Sequence, residues 1–208
     1  MNMTLKNVDV YEQNTIKINN IYIDPYRIKD VTHDAEIVFI THSHYDHLSL
    51  EDLKKVKNDD TIVIAPDDCG DKLSEIFAND KIYIVEPGHK YKLRGVKFET
   101  VPMYNIGTHF HPRENGWVGY VLDIDSIKYY IVGDSDMTEE MIAVKCDVLF
   151  IPIGGTYTMN VEEAVYATKL IEPKVVVPTH YGTIVGDLED GERFNSLLPI
   201  DVECKLYK

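Results

Sequence analysis

Between His42 and His47 the chain reads His-Ser-His-Tyr-Asp-His, three imidazoles and a carboxylate within six residues. The cluster follows directly on Ala35-Glu36-Ile37-Val38-Phe39-Ile40, a mostly apolar run that reads as a buried strand opening into a sharp polar turn. Packing gives no reason for such density, because each of these groups is costly to take out of water unless it is paired. Neutral imidazoles and ionised carboxylates are good ligands for a divalent cation, whose charge offsets their crowding. In an extended segment His42 and His44 point to one side and can grip one ion. Asp46 and His47 come after the chain has begun to turn and can face a second. Ser49-Leu50-Glu51-Asp52-Leu53-Lys54-Lys55 then has an N-cap serine, early acids and later lysines, the pattern of a helix start. A strand-to-helix metal loop is expected, and a solvated histidine-rich turn is the plain alternative.

The rest of the chain bounds what such a site can serve. No repeat, low-complexity segment or Pro/Gly/Ser-rich linker divides the 208 residues, so one domain over 1–208 is expected, and 44% hydrophobic content suffices for a sizeable core. Cys69, Cys146 and Cys204 are odd in number, widely spaced and outside any Cys-x-x-Cys arrangement, which reads as free thiols in a reducing, cytoplasmic setting. The first twenty residues are polar, and no apolar run of about 18 residues occurs, so neither export nor a membrane partner is expected. A formal charge of −14 repels polyphosphate backbones and disfavours nucleic acid.

Along the chain, Ile16 to Ile23 reads as one half-buried strand ending at Asp24-Pro25, and Thr61 to Ala65 as another. Asp68 to Asn79 reads as a helix presenting Leu73, Ile76 and Phe77. Strands are expected over Lys81 to Val85, Tyr91 to Leu93 and Val96 to Val101, with His89 in a solvated turn. Ile106 to Trp117 is a long polar and aromatic loop, and loops of that length tend to carry function. Trp117 to Ile124 and Lys128 to Val132 read as a strand pair around an Asp-Ser turn, leading to Gly133-Asp134-Ser135 and a helix from Met137 to Val144. Cys146 to Pro152 is a buried strand opening into Gly154-Gly155, whose glycines would let backbone approach a ligand closely. Asn160 starts a helix through Leu170, so amides near residues 158 to 162 could meet a substrate anion. Lys174 to Pro178 is the last strand, followed by Thr179-His180. Four buried runs, ending near 40, 132, 152 and 177, each lead into histidine, aspartate or glycine, and α/β sheets place their sites at strand carboxyl ends.

His-x-His-x-Asp-His after a strand, Gly-Asp-Ser at 133–135 and Thr-His at 179–180 together resemble the motifs of the metallo-β-lactamase-fold hydrolases. The resemblance covers most of the chain and implies a four-layer αβ/βα sandwich with a mono- or binuclear metal site. It implies that Asp134 bridges two ions, that His180 is the last ligand, and that Asp24 supports the ligands from behind. It also implies a histidine near the Val101-Pro-Met-Tyr-Asn stretch, where this chain has Asn105. His111 is the expected replacement, with His109, Asn105 itself or water as alternatives. That stretch, with His-Pro before Gly-Trp-Val-Gly-Tyr, is similar to a branch of hydrolases related to the ascorbate-6-phosphate lactonases.

The combined expectation is a metal-dependent hydrolase of one α/β domain. His42, His44 and His111 hold one ion, Asp46, His47 and His180 the other, and Asp134 bridges them. Zinc is expected, one or two ions, with manganese or iron possible. A metal-activated water oriented by Asp46 would attack a small ester, lactone or phosphoester. A relative without turnover, or a phosphodiesterase or nuclease of the same fold, are the alternatives.

Overall fold

The computed structural model describes residues 5–207, which fall into two compact units that meet in sequence between Glu86 and Pro87. In the N-terminal unit, β1 (Val8–Val10), β2 (Ile16–Ile18), β3 (Ile21–Ile23), β4 (Ala35–Phe39), β5 (Lys57–Ala65) and β6 (Ile82–Ile84) form one sheet in that order. The first three strands pair antiparallel, and β3 to β6 pair parallel. Helix α1 (Leu50–Val56) joins β4 to β5, and the short α2 (Gly70–Leu73) precedes β6. Val38, Val63 and Ala65 of the sheet and Ile40 just after β4 pack with Leu53, Val56, Leu73 and Phe77 into one core cluster.

Two expected elements are corrected here. The run 16–23 is a tight hairpin instead of one strand: Ile18 pairs with Ile21, and Asn19 turns the chain through the left-handed region (φ 54) that asparagine tolerates. The expected helix 68–79 shrinks to a 3-10 turn at Asp67–Cys69 and α2, although Leu73 and Phe77 do reach the core.

The start of α1 does follow the sequence signal. Ser49 caps the helix, accepting from the Asp52 amide, and the buried Asp52 carboxylate returns to take the Arg27 and Ile28 amides (2.9 Å each), the Ser49 hydroxyl (2.7 Å) and the Lys55 ammonium (2.9 Å). Burial alone would raise the Asp52 carboxyl. The Lys55, Ser49, Arg27 and Ile28 contacts outweigh it and hold the carboxyl below its ordinary value. A carboxyl lowered in the folded chain adds stability above its unfolded value of about 4, and that contribution is lost as pH falls through the folded value. Replacing it in Asp52→Asn should therefore flatten the acid limb of a stability-versus-pH curve measured by urea unfolding. An unchanged acid limb would show that the network does not titrate with folding.

In the C-terminal unit, β7 (Lys90–Leu93), β8 (Val96–Pro102), β9 (Val118–Ile124), β10 (Ile127–Ile131), β11 (Val148–Pro152), β12 (Val175–Thr179) and β13 (Glu203–Cys204) form a seven-stranded sheet in sequence order. Pairing is antiparallel from β7 to β10 and parallel from β10 to β13. Strands β11 and β12 are buried along their whole length, as central parallel strands are. Helices α3 (Glu139–Ile142), α4 (Val161–Ile171) and α5 (Glu189–Leu197) complete the unit. Val161, Ala164, Val165, Ala167 and Ile171 of α4 join Leu149, Ile151, Val176 and Phe194 in its core. The expected helix 137–144 is only the single turn of α3, capped by Thr138, so Asp134 is not its cap.

Because β10, β11 and β12 run parallel, their carboxyl ends lie along one sheet edge, and the chain leaving them carries Asp134, Gly154 and His180 in turn. The chain leaving β4 carries His42 to His47 in the other unit.

Candidate metal centre

In the N-terminal unit the motif folds into a compact cluster behind β4. His42 and His47 are fully buried, Asp46 is 7% exposed and His44 is half-buried. His42 Nε2 lies 3.0 Å from His44 Nδ1, and His47 Nε2 lies 3.8 Å from Asp46 Oδ2. Ligand atoms of His42 and His47 also come within 4.8 Å of each other. The His44 carbonyl accepts from the His47 and Leu48 amides at 3.1 and 2.8 Å, the turn that brings Asp46 and His47 round.

Polar side chains hold this cluster from behind. Asp24 is completely buried and takes the Thr41 amide (2.8 Å), the Thr41 hydroxyl (2.6 Å), the Asn14 amide group (2.8 Å) and His47 Nδ1 (2.8 Å). With Nδ1 donating to a carboxylate, a neutral His47 keeps its lone pair on Nε2, the arrangement metal-binding histidines adopt. Gln13 donates to Asp46 Oδ2 at 3.2 Å, and Thr15 donates to the Asp24 carbonyl at 2.6 Å. Sequence reasoning assigns no role to Gln13, Asn14 and Thr15. Three successive buried polar residues immediately before β2 are the trace they leave.

In the C-terminal unit Asp134, 3% exposed, stands between two imidazoles: its Oδ2 lies 3.0 Å from His180 Nε2 and 3.6 Å from His111 Nε2. Of the two loop histidines His111 is buried and His109 is exposed. Asn105 is 7% exposed and accepts from His111 Nδ1 at 2.7 Å. His180 has a left-handed backbone (φ 55), an uncommon conformation for a residue with a side chain.

Of the two glycines after β11, Gly154 has a reason within the fold itself. A Cβ on Gly154 would stand 2.3 Å from the His180 carbonyl oxygen and 2.6 Å from a Val185 methyl, so glycine here permits a close approach to the chain's own loop after β12. We expect Gly154→Ala to displace the His180 loop and to lower stability by about 1–3 kcal/mol in urea unfolding. A variant as stable as the parent would mean the loop yields without cost. Two of the amides near residues 158–162 are already engaged, Met159 on the Ser135 carbonyl and Asn160 on the Glu163 carboxylate of the α4 capping box. Helix capping accounts for much of that segment.

Among the described residues, no cysteine belongs to either cluster. Cys69 is buried, and burial raises its thiol far above the ordinary value, while burial pushes Cys146 and Cys204 up to about 12. Among the described residues no helix is long and apolar enough to cross a membrane.

Both clusters consist of imidazole and carboxylate groups, all buried except half-buried His44, a donor set that suits zinc, manganese or iron. Comparison with known proteins points the same way. The chain matches the β-lactamase superfamily domain over residues 13–180. It is 30% identical to a UPF0173 metal-dependent hydrolase of Thermoplasma volcanium, over 86% of this chain and 83% of the relative. A crystal structure from Parabacteroides distasonis, of a protein assigned as a metal-dependent hydrolase, superposes with a TM-score of 0.80 at 28% identity, over 96% of this chain and 91% of that one. A member of the metallo-β-lactamase superfamily from Thermotoga maritima shares the fold, with a TM-score of 0.63 at 20% identity and 96% of each chain covered.

Proposed function

Since the chain belongs to the β-lactamase superfamily, with the metallo-β-lactamase fold, and within it to the UPF0173 metal-dependent hydrolases, we propose that it hydrolyses a small ester, lactone or phosphoester at a centre of one or two metal ions. The proposed ligands are His42, His44, Asp46 and His47 of the N-terminal unit and His111, Asp134 and His180 of the C-terminal unit. The observation that carries this reading is that every one of them except half-buried His44 is buried, in two clusters of imidazoles and carboxylates, one in each unit, that have no apolar packing role. The family match runs through both units, which supports treating them as one functional domain. Zinc is the proposed ion, with manganese and iron next.

A bound divalent ion would supply Lewis-acid polarisation of the scissile group and an acidified water. The residues then divide the remaining work. Asp46 orients the attacking water and takes its proton at a carboxylate oxygen, while Gln13 holds Oδ2 in place. Asp24 keeps His47 in one tautomer, and Asp134 supplies negative charge beside both His111 and His180. A relative without turnover is the alternative that Asn105 raises by standing where a ligand is expected. The buried His111, hydrogen-bonded to that same Asn105, supports a complete ligand set instead.

The test is metal analysis of the purified protein, followed by a panel of small esters, lactones, phosphomonoesters and phosphodiesters with and without chelator. Chelator-sensitive turnover of a small ester, lactone or phosphomonoester is the expected result. Preference for a diester would move the chain to the phosphodiesterase reading, and a protein that binds no ion would end the hydrolase reading altogether.

A further inference from the structure

We propose that Asn105 is a positioning residue that locks His111 in the Nδ1–H tautomer and thereby presents Nε2 as the metal-binding atom. The purpose of this device rests on the proposed metal centre, but its geometry does not.

The orientation of the Asn105 side chain is settled by its neighbours. Its Nδ2 lies 3.0 Å from Asp136 Oδ1 and 2.8 Å from the Tyr157 carbonyl oxygen. A carboxylate and a carbonyl both accept, so they match the two protons of the amide nitrogen. Turning the amide over would set its oxygen against both of them, two repulsive contacts in place of two hydrogen bonds. Asp136 is itself held, since the Ile106 amide donates to its Oδ2 at 2.7 Å. Tyr157 presents its carbonyl from a left-handed backbone (φ 70).

Oδ1 of Asn105 therefore faces His111, 2.7 Å from Nδ1. An amide oxygen cannot donate, so the proton of this bond belongs to Nδ1. A neutral imidazole carries a single N–H, which leaves the lone pair on Nε2, the nitrogen on the side of Asp134 Oδ2, 3.6 Å away. Ring packing reinforces the orientation: His111 meets Trp117 edge to face, with centroids 5.6 Å apart. The position where a ligand histidine is expected has thus been given to the residue that orients the ligand, and the imidazole comes from six residues further along the chain.

The tautomer can be read without any metal. Two-bond proton–nitrogen spectra of metal-free protein, taken above pH about 8 so that imidazoles are neutral, separate the Nδ1–H from the Nε2–H form. For the parent we expect His111 in the Nδ1–H form. In Asn105→Ala the preference should disappear, and zinc affinity at the ion that His111 serves should fall by about 10- to 100-fold, the usual effect of losing the partner behind a ligand histidine. Exchanging the two groups, Asn105→Asp together with Asp136→Asn, should restore the tautomer preference, because the carboxylate now at 105 accepts from Nδ1–H and the amide at 136 donates to it, while zinc affinity recovers only in part because the second carboxylate oxygen faces the Tyr157 carbonyl. An Nε2–H signal in the parent, or an Nδ1–H signal that survives in Asn105→Ala, overturns the proposal, and the parent spectrum decides this even if the alanine variant does not fold. A parent that binds no zinc while His111 still follows Asn105 removes the metal reading and leaves the positioning role standing. Zinc binding with His111 in the Nε2–H form does the reverse.

Discussion

Asp46→Asn should give a protein that folds and melts close to the parent yet turns over substrate about 10²- to 10⁴-fold more slowly, the range associated with losing a positioned general base. The substitution nearly preserves volume at a site only 7% exposed, and the new amide oxygen can still accept from Gln13, so packing changes little. What disappears is a negative charge and a proton acceptor. Because Asp46 is also a proposed ligand, metal content should fall along with turnover, and turnover lost at unchanged metal content would leave it the role of a base alone. Unchanged turnover on a substrate the parent hydrolyses would remove Asp46 from the mechanism, and a large drop in melting temperature would mean its charge is structural.

Much of the site is legible in the sequence itself because the chemistry is dense locally. The residues His42 to His47 sit side by side along the chain, and the strands that deliver Asp134 and His180 are continuous apolar runs, so strand ends and site residues announce each other. The elements that sequence reasoning misses are those whose signals are weak or opposed. At Asn19-Asn20 two successive polar residues interrupt the apolar–polar alternation, a short signal of the hairpin that a reading of 16–23 as one strand passes over. Helix α5 buries only Gly191 and Phe194, too little for an apolar stripe, and β13 is two residues long. The helix expected from Asp68 to Asn79 is cut short after Leu73, which still reaches the core.

The supporting side chains are less legible than the ligands for a physical reason. A ligand must be histidine, aspartate or a similar group, whereas the partner behind it needs only to accept or donate one hydrogen bond, and many residue types can do that. Gln13, Asn14, Thr41 and Asn105 are ordinary polar residues in a sequence, and burial is what distinguishes them. Asn105 illustrates the limit well. Its identity breaks the expected motif and suggests a degenerate site, but its contacts make it the hydrogen-bond partner of His111, the histidine proposed to replace the missing one.

Asp24 should prove the most sensitive of these supports. Its carboxylate is completely buried and receives the Thr41 amide, the Thr41 hydroxyl, the Asn14 side-chain amide and His47 Nδ1. In Asp24→Ala all four donors lose their acceptor at once inside the protein, where no solvent replaces it, and breaking a buried pair of this kind costs about 3–5 kcal/mol. For a chain of this size that corresponds to a fall of roughly 10 °C in melting temperature. Measuring it in chelator, on metal-free protein, separates this loss from any loss of bound ion. Asp24→Asn should fall between parent and alanine variant, because one oxygen still accepts while the other becomes an NH₂ group facing donors. It should also disturb His47, whose Nδ1 proton is held by Oδ2, so its metal affinity should drop by more than its stability suggests. An alanine variant that melts within a degree or two of the parent would show that water enters to replace the carboxylate, and the ligand side of the motif would then have to hold its shape without help from β3.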